Sequence, residues 1–279
     1  MSHDPLWVPP GHFYSPIPSI AEILSREQEI FGAPIDAIAG IDLREEAQCT
    51  LLKELQSYYA ELPFQDKQAP ALRYYYDNPM YSYGDAICLY GMLRRSHPRR
   101  IIEVGSGFSS AAILDTAERF LEEIPACTFI DPYPERLLSL LRPGDTERIV
   151  LYQQSVQDIP PSVFASLEAG DVLFIDSTHI AKTGSDVLYL FFHILPILRN
   201  GVLIHIHDIF AGFEYPQTWV EEGRSWNEAY MLRAFLQYNE HFRILLWNNF
   251  LYRKYRDLCL ACMPLCAKNP GGSIWLEKC

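Results

Sequence analysis

Between Arg100 and Asp208 the chain repeats one unit: a short apolar run, a turn, then a stretch with helical periodicity. The runs cover 101–104, 127–130, 149–152, 172–175 and 202–206, with helical patterns at about 109–122, 134–141, 161–167 and 184–198. Runs this short and this uniformly apolar, alternating with helices, predict a parallel sheet covered on both faces. A helix near 227–238 and strands at 242–246 and 273–276 bring the expected sheet to seven strands. In such sheets ligands bind beyond the carboxyl ends of the strands, where the strand order switches. The residues at or just past those ends are polar: Glu103, Gly105, Asp131, Gln157, Asp176, His179, His207 and Asp208. Burying a sheet does not call for such side chains, so they mark the candidate site.

What surrounds this block narrows the class. The formal charge of −12 repels phosphate backbones and argues against nucleic acid as a partner. The basic cluster Arg94, Arg95, Arg99 and Arg100 reads as a solvated helix end beside a strand. The longest apolar window, 187–198, is broken by His193 and Pro196 and is too short for a bilayer. No basic segment precedes an apolar run at the N-terminus, and the seven cysteines are odd in number. The expectation is a cytoplasmic protein with no leader, no membrane partner and no disulfide framework.

Residues 1–83 differ in texture from 84–279, which sets the expected boundary between an N-terminal arm with a helical extension and the main domain. Residues 5–18 are rich in proline and aromatic side chains and predict an extended arm. Helical patterns follow at 20–31, 43–62 and 84–96.

Glu103-Val104-Gly105-Ser106-Gly107 falls where a strand turns into a helix, and glycine there lets backbone approach a ligand closely. A dinucleotide fingerprint would add a third glycine at 110, under the pyrophosphate. The chain has Ser110. S-adenosylmethionine has no pyrophosphate and relaxes that demand. Asp131, at the end of the second strand, suits the two hydroxyls of a ribose, because a carboxylate accepts several hydrogen bonds.

Glu-x-Gly-x-Gly followed by an acid at the end of strand two resembles the class I S-adenosylmethionine-dependent methyltransferases, over about residues 84–250. The resemblance implies a Rossmann-like fold: a mostly parallel seven-stranded sheet with helices on both faces, here with an N-terminal helical and aromatic extension. It implies that Glu103 and the Gly105, Ser106 and Gly107 backbone hold the methionine end and that Asp131 holds the ribose. The Val156-Gln157-Asp158 segment is similar to the Ser-Gln-Asp of catechol-type O-methyltransferases, where the glutamine meets the adenine; Val156 replaces the serine. In such families the segment before residue 84 faces substrate or forms a homo-oligomer.

Asp176 ends strand four, while His207 and Asp208 end strand five, and carboxylate with imidazole suits Mg²⁺, Mn²⁺, Fe²⁺ or Zn²⁺. The expected metal ligands are therefore Asp176, His207 and Asp208. The set is similar to metal-dependent small-molecule and sugar O-methyltransferases, and in the sugar enzymes a histidine three residues after the first acid is the general base. That position is His179 in Asp176-Ser-Thr-His179, whereas His207 stands where those enzymes have an acid. The expected activity is methyl transfer to a hydroxyl of a small molecule or sugar, catalysed by His179 and Asp176 and assisted by a divalent metal. A metal-independent enzyme using His179, or a cofactor-binding protein without turnover, are the alternatives; Ser110 disfavours an NAD-dependent one.

Two features stay open at this level. Phe210, Phe213, Tyr215, Trp219, Trp226, Asn227, Glu228 and Tyr230 either wall a substrate pocket or dock an insertion on the sheet. Cys259, Cys262 and Cys266, with Cys279, have spacing that admits Zn²⁺ or an iron–sulfur cluster, in a context that also reads as buried thiols.

Overall fold

A computed structural model describes residues 6–279. The seven strands are β1 (Arg100–Val104), β2 (Ala126–Ile130), β3 (Ile149–Tyr152), β4 (Val172–Ile175), β5 (Leu203–His207), β6 (Phe242–Trp247) and β7 (Ser273–Lys278). They form one sheet in the order β3-β2-β1-β4-β5-β7-β6. The first five are parallel, and β7 pairs antiparallel with both β5 and β6. Strand order reverses at β1, which pairs with β2 on one side and β4 on the other, so the cleft past its carboxyl end is where a ligand belongs.

Before the sheet come α1 (Ile20–Ser25), α2 (Glu27–Phe31), α3 (Glu45–Tyr59) and α4 (Tyr83–Ser96). Helices α5 (Phe108–Phe120), α6 (Glu135–Leu140), α7 (Pro161–Phe164) and α8 (Asp186–Tyr189) connect the parallel strands. After β5 come α9 (Gln217–Glu221) and α10 (Glu228–Leu236), and between β6 and β7 lie α11 (Asn248–Lys254) and α12 (Arg256–Cys262). The sequence pattern did not announce α11 and α12. The single helix expected over 184–198 is instead α8, then a π-turn at Leu190–Ile194 and a 3₁₀ turn at Leu195–Ile197. Pro196 has no N–H to continue an α-helical ladder, which changes pitch before it.

The arm expected over 5–18 begins at residue 5, outside the described residues. From residue 6 it is not extended: Gly11 N–H donates to Ile17 O at 3.0 Å and His12 N–H to Pro9 O at 3.2 Å, folding it into turns. Residues 35–83 pack into the same core as the sheet, with Ile38, Leu51, Leu52 and Leu55 buried in one cluster with Leu246 and Trp247. Buried Gln48 ties the layers together, donating to Leu43 O at 2.6 Å and accepting from Trp247 N–H at 2.7 Å.

The link between α3 and α4 is held by Arg73, whose side chain is 1% exposed. Its guanidinium meets Asp115 at 2.8 Å, Glu118 at 2.7 Å and Asp145 at 2.5 Å. Four groups from three chain segments share this buried cluster, which fixes α5 against the loop before β3. Among the described residues no helix is long and apolar enough to cross a membrane.

Candidate active site

The loop after β1 is shaped by three polar anchors. Glu103 is fully buried, and its two carboxylate oxygens accept from Ser109 Oγ and, at 2.6 Å, from Ser110 Oγ. Ser110 Oγ in turn accepts from Gly107 N–H at 3.0 Å. Ser110, where a dinucleotide site has glycine, therefore helps to fasten the loop. Burial pushes the Glu103 carboxyl up to about 8 against the pull of those two hydroxyls. Glu103 and Gly107 do not line the cavity; the Glu103 oxygens face α5, where serine hydroxyls take them.

Gly105 adopts φ +83°, and a β-carbon on it would meet the Asp176 carbonyl oxygen at 1.7 Å. Only glycine lets β1 turn this tightly past the end of β4. Asp131 Oδ2 accepts from Ser106 N–H at 3.0 Å and Ser106 Oγ at 2.8 Å, and Oδ1 accepts from Tyr133 N–H at 2.8 Å. These bonds fix the carboxylate and leave acceptor capacity toward the cavity.

The cavity itself measures about 560 Å³ and opens over the strand ends. Gly105, Ser106, Asp131, Gln157, Asp176, His179, His207 and Asp208 all line it. Gln157 sits at its rim and donates to Gly184 O at 2.9 Å. It offers what an adenosyl ligand needs: a tight glycine turn after β1 and a fixed carboxylate at the end of the neighbouring strand.

At the inner end three carboxylates surround one imidazole. His179 Nε2 lies 3.3 Å from Asp176 Oδ1 and 3.5 Å from Asp208 Oδ2, while Nδ1 lies 2.9 Å from Glu228 Oε2. His179 and Asp208 both have left-handed backbone, φ +59° and +56°, a conformation that costs a non-glycine residue roughly 1–3 kcal/mol and must be held by its surroundings. For His179 the hold is visible: Asn227 N–H and Glu228 N–H both donate to its carbonyl oxygen, at 3.0 and 3.1 Å. The Trp226 ring lies 4.4 Å from the imidazole.

Electrostatics follow from this crowding. Burial works to lower the His179 pKa, but Asp176 and Glu228 outweigh it and hold the ring well above its ordinary value. Burial raises Asp176, yet His207 and His179 bring it down to about 2. Asp208 ends at about 6, raised by burial more than the two histidines lower it.

The expected trio Asp176, His207 and Asp208 is not the one brought together. Asp176, His179 and Asp208 place one ligand atom each within 4.8 Å of one another, the single such group among the described residues. The reason is strand geometry: successive side chains point to opposite faces. His207 follows His205 onto the face packed against Tyr81, its ring 5.0 Å from that tyrosine, while Asp208 turns toward the cleft. His207 keeps a 3.5 Å contact with Asp208 Oδ1, and its Nδ1 has no partner.

The cysteine run assembles no metal group. Cys259, Cys262 and Cys266 are buried, and burial pushes the Cys259 and Cys266 thiols up to about 12. Of the aromatic segment, Trp226 alone reaches the cavity, while Phe213 and Tyr215 are core and Trp219 packs on Phe210. Sequence reasoning missed Glu228 as a partner of His179, because the two are 49 positions apart and no spacing links them.

The family model described as a methyltransferase domain matches residues 102–209, the block from β1 to just past β5. An uncharacterized protein of Archaeoglobus fulgidus is 36% identical over 165 residues, which span 57% of this chain and 73% of that one. Two solved structures are similar at lower identity. The methyltransferase PaMTH1 of Podospora anserina, solved with SAH, is 14% identical, with a TM-score of 0.49 over 85% of this chain and 94% of its own. The O-methyltransferase TomG of Streptomyces achromogenes, involved in tomaymycin synthesis and solved with SAM, is 16% identical, with a TM-score of 0.48 over 80% of this chain and 95% of its own.

Proposed function

We propose that this chain, which belongs to the class I S-adenosylmethionine-dependent methyltransferases, transfers the methyl group to a hydroxyl of a small molecule or sugar with help from a divalent metal. The observation that carries the reading is His179 Nε2, aimed between Asp176 and Asp208 at the inner end of the cofactor cavity. A hydroxyl is a poor nucleophile until it is oriented and loses its proton, and an imidazole beside two carboxylates supplies both needs.

When bound, the cofactor supplies an electrophilic methyl group on a sulfonium. The chain's own residues do the rest. Asp131 holds the ribose hydroxyls, and Gln157 stands at the rim for the adenine. The Gly105 turn sets the Ser106 loop against the end of β4, beside the space that the methionine end would take. Asp176 and Asp208 would hold a divalent ion, which lowers the pKa of an acceptor hydroxyl and leaves positions for its oxygens. The two carboxylates fit: an oxygen of Asp176 and one of Asp208 lie within 4.8 Å of each other, close enough to share one ion. Nε2 of His179 faces the same space and takes the hydroxyl proton. Trp226 and Met80 give the cavity apolar walls for the acceptor.

The test is turnover with S-adenosylmethionine against a panel of sugar, catechol, polyketide and peptide hydroxyls. His179→Ala should lower turnover about 10²–10⁴-fold and leave cofactor affinity near that of the parent. Full activity in that variant would remove His179 from the chemistry. Binding of the cofactor with no turnover on any acceptor would favour a binding protein on this fold.

A further inference from the structure

Two cations line the cavity, Arg136 and Lys182, and neither is ion-paired among the described residues. The acids that line it are all engaged. Asp131 accepts from Ser106 and Tyr133, Asp176 and Asp208 face His179, and Asp186 accepts from Thr178 N–H at 2.9 Å and Thr178 Oγ at 2.6 Å. A chain with 35 acidic and 23 basic residues offers partners freely, and Lys67, Lys254 and Lys268 each hold one. Asp186, four positions from Lys182, is the nearest such partner in the chain and is turned to Thr178 instead. The loop around Lys182 is nevertheless fixed. Lys182 N–H donates to Ser185 Oγ at 3.1 Å, while the Asn227 side chain accepts from Ala181 N–H at 2.6 Å and donates to Ala181 O at 3.3 Å. An exposed ammonium is thus presented to the cleft from a tied backbone, three positions beyond His179.

The two cations stand at different places. Arg136 packs over the Ser106 loop, where a β-carbon at Gly107 would meet its Cδ at 2.8 Å. That is beside the space for the methionine end, whose carboxylate is the one anionic group of S-adenosylmethionine. Nothing of the cofactor answers Lys182: adenine and ribose are neutral, and a sulfonium repels an ammonium. We propose that the methyl acceptor is itself an anion, a hydroxy acid or a hydroxylated phosphate ester, and that Lys182 holds its anionic group while the hydroxyl lies at His179. This rests on the reading of the cavity as the site of methyl transfer to a small-molecule hydroxyl. An ammonium is a point charge with three donors on a flexible stem, so it takes carboxylate and phosphate alike and adapts to acceptors of different length. It also gives the acceptor a direction. The anionic end stays with Lys182, away from the carboxylates of Asp176 and Asp208, and the hydroxyl end goes in first.

Matched pairs titrated into the protein loaded with S-adenosylhomocysteine test this: protocatechuate against its amide, glucuronate against glucose, and ribose phosphate against ribose. In at least one pair the anionic member should bind about 10-fold or more tightly than the neutral one, and the preference should shrink as salt is raised. Which pair responds tells carboxylate from phosphate. Lys182→Met should bring the two Kd values together by weakening the anionic member, and Lys182→Arg should keep most of the difference. The side chain is exposed, so the fold should survive both changes. Equal Kd values in every pair, absence of binding included, or a preference that persists in Lys182→Met overturns the proposal. Turnover with S-adenosylmethionine separates it from the reading beneath it. Methylation of neutral members with no preference for the anion keeps that reading and overturns the role of Lys182. A preference lost in Lys182→Met, with no member of any pair methylated, supports the Lys182 site and defeats the reading of methyl transfer.

Discussion

A β-carbon at position 105 would lie 1.7 Å from the carbonyl oxygen of Asp176, so the turn after β1 and the end of β4 are built against each other. The Gly105 turn and the acidic end of the cleft therefore share one backbone contact. Gly105→Ala should damage both. The expected outcome is loss of S-adenosylmethionine binding by calorimetry together with a lowered thermal midpoint, since positive φ and a backbone clash act at once. A variant that binds cofactor like the parent would show that the loop can relax away from β4.

Asp131 fastens the Ser106 loop after β1. Asp131→Ala should weaken S-adenosylmethionine binding by roughly 2–4 kcal/mol, because the ribose loses a charged acceptor and the Ser106 loop loses its anchor. Calorimetry with the cofactor and with 5′-methylthioadenosine, which keeps the ribose, should register similar losses. Unchanged affinity for both ligands would refute the ribose assignment.

Metal dependence is tested by chelation and add-back of Mg²⁺, Mn²⁺, Fe²⁺ and Zn²⁺ in turn. Activity should fall on chelation and return with at least one ion, and Asp208→Asn should need more of that ion for half-maximal activity. The same experiment on His207→Ala should leave the metal requirement close to that of the parent, because His207 is not in the group that Asp176, His179 and Asp208 form. Full activity in protein shown by elemental analysis to be metal-free would leave His179 as a base acting alone.

The Arg73 cluster predicts both stability and its pH dependence. Arg73→Met should cost about 3–5 kcal/mol, because Asp115 and Asp145 would stay buried without their partner. Arg73 holds Glu118 below its ordinary range; at Asp145 burial pushes upward but Arg73 prevails, so that pKa too is lowered. A carboxylate with a folded pKa below its unfolded one stabilises the fold at neutral pH, and that contribution fades as pH falls below about 4. Asp115, raised by burial, acts in the opposite sense and blunts the slope. Urea midpoints should fall more between pH 7 and about pH 3 in the parent than in Arg73→Met; equal falls would show that the cluster does not govern the acid limb.

Much of this was legible in the sequence because it depends on local pattern. The five parallel strands appear as apolar runs, and the Gly105 turn and Asp131 sit at run ends where ligands must bind. What the sequence withheld depends on direction and distance. His207 and Asp208 are neighbours in the chain, so nothing in their order says that one faces Tyr81 and the other the cleft. Glu228 reaches His179 only because α10 returns over the strand ends. Helices α11 and α12 were hidden for another reason: their apolar and cysteine positions read equally well as a buried segment, with no cap to mark where a helix starts.

Among the described residues strand β6 ends the sheet, with no strand beyond it. Its outer rim is a row of amides and carbonyls, the kind of template on which foreign strands grow. Arg44 caps one of those carbonyls, that of Ile244, at 3.1 Å, and Gln48 takes the Trp247 amide, both from the segment before residue 84. That segment is thus a guard rail as well as a wall. A chain trimmed to the methyltransferase block would expose a sticky border, and its fate would be decided by how fast two such borders meet.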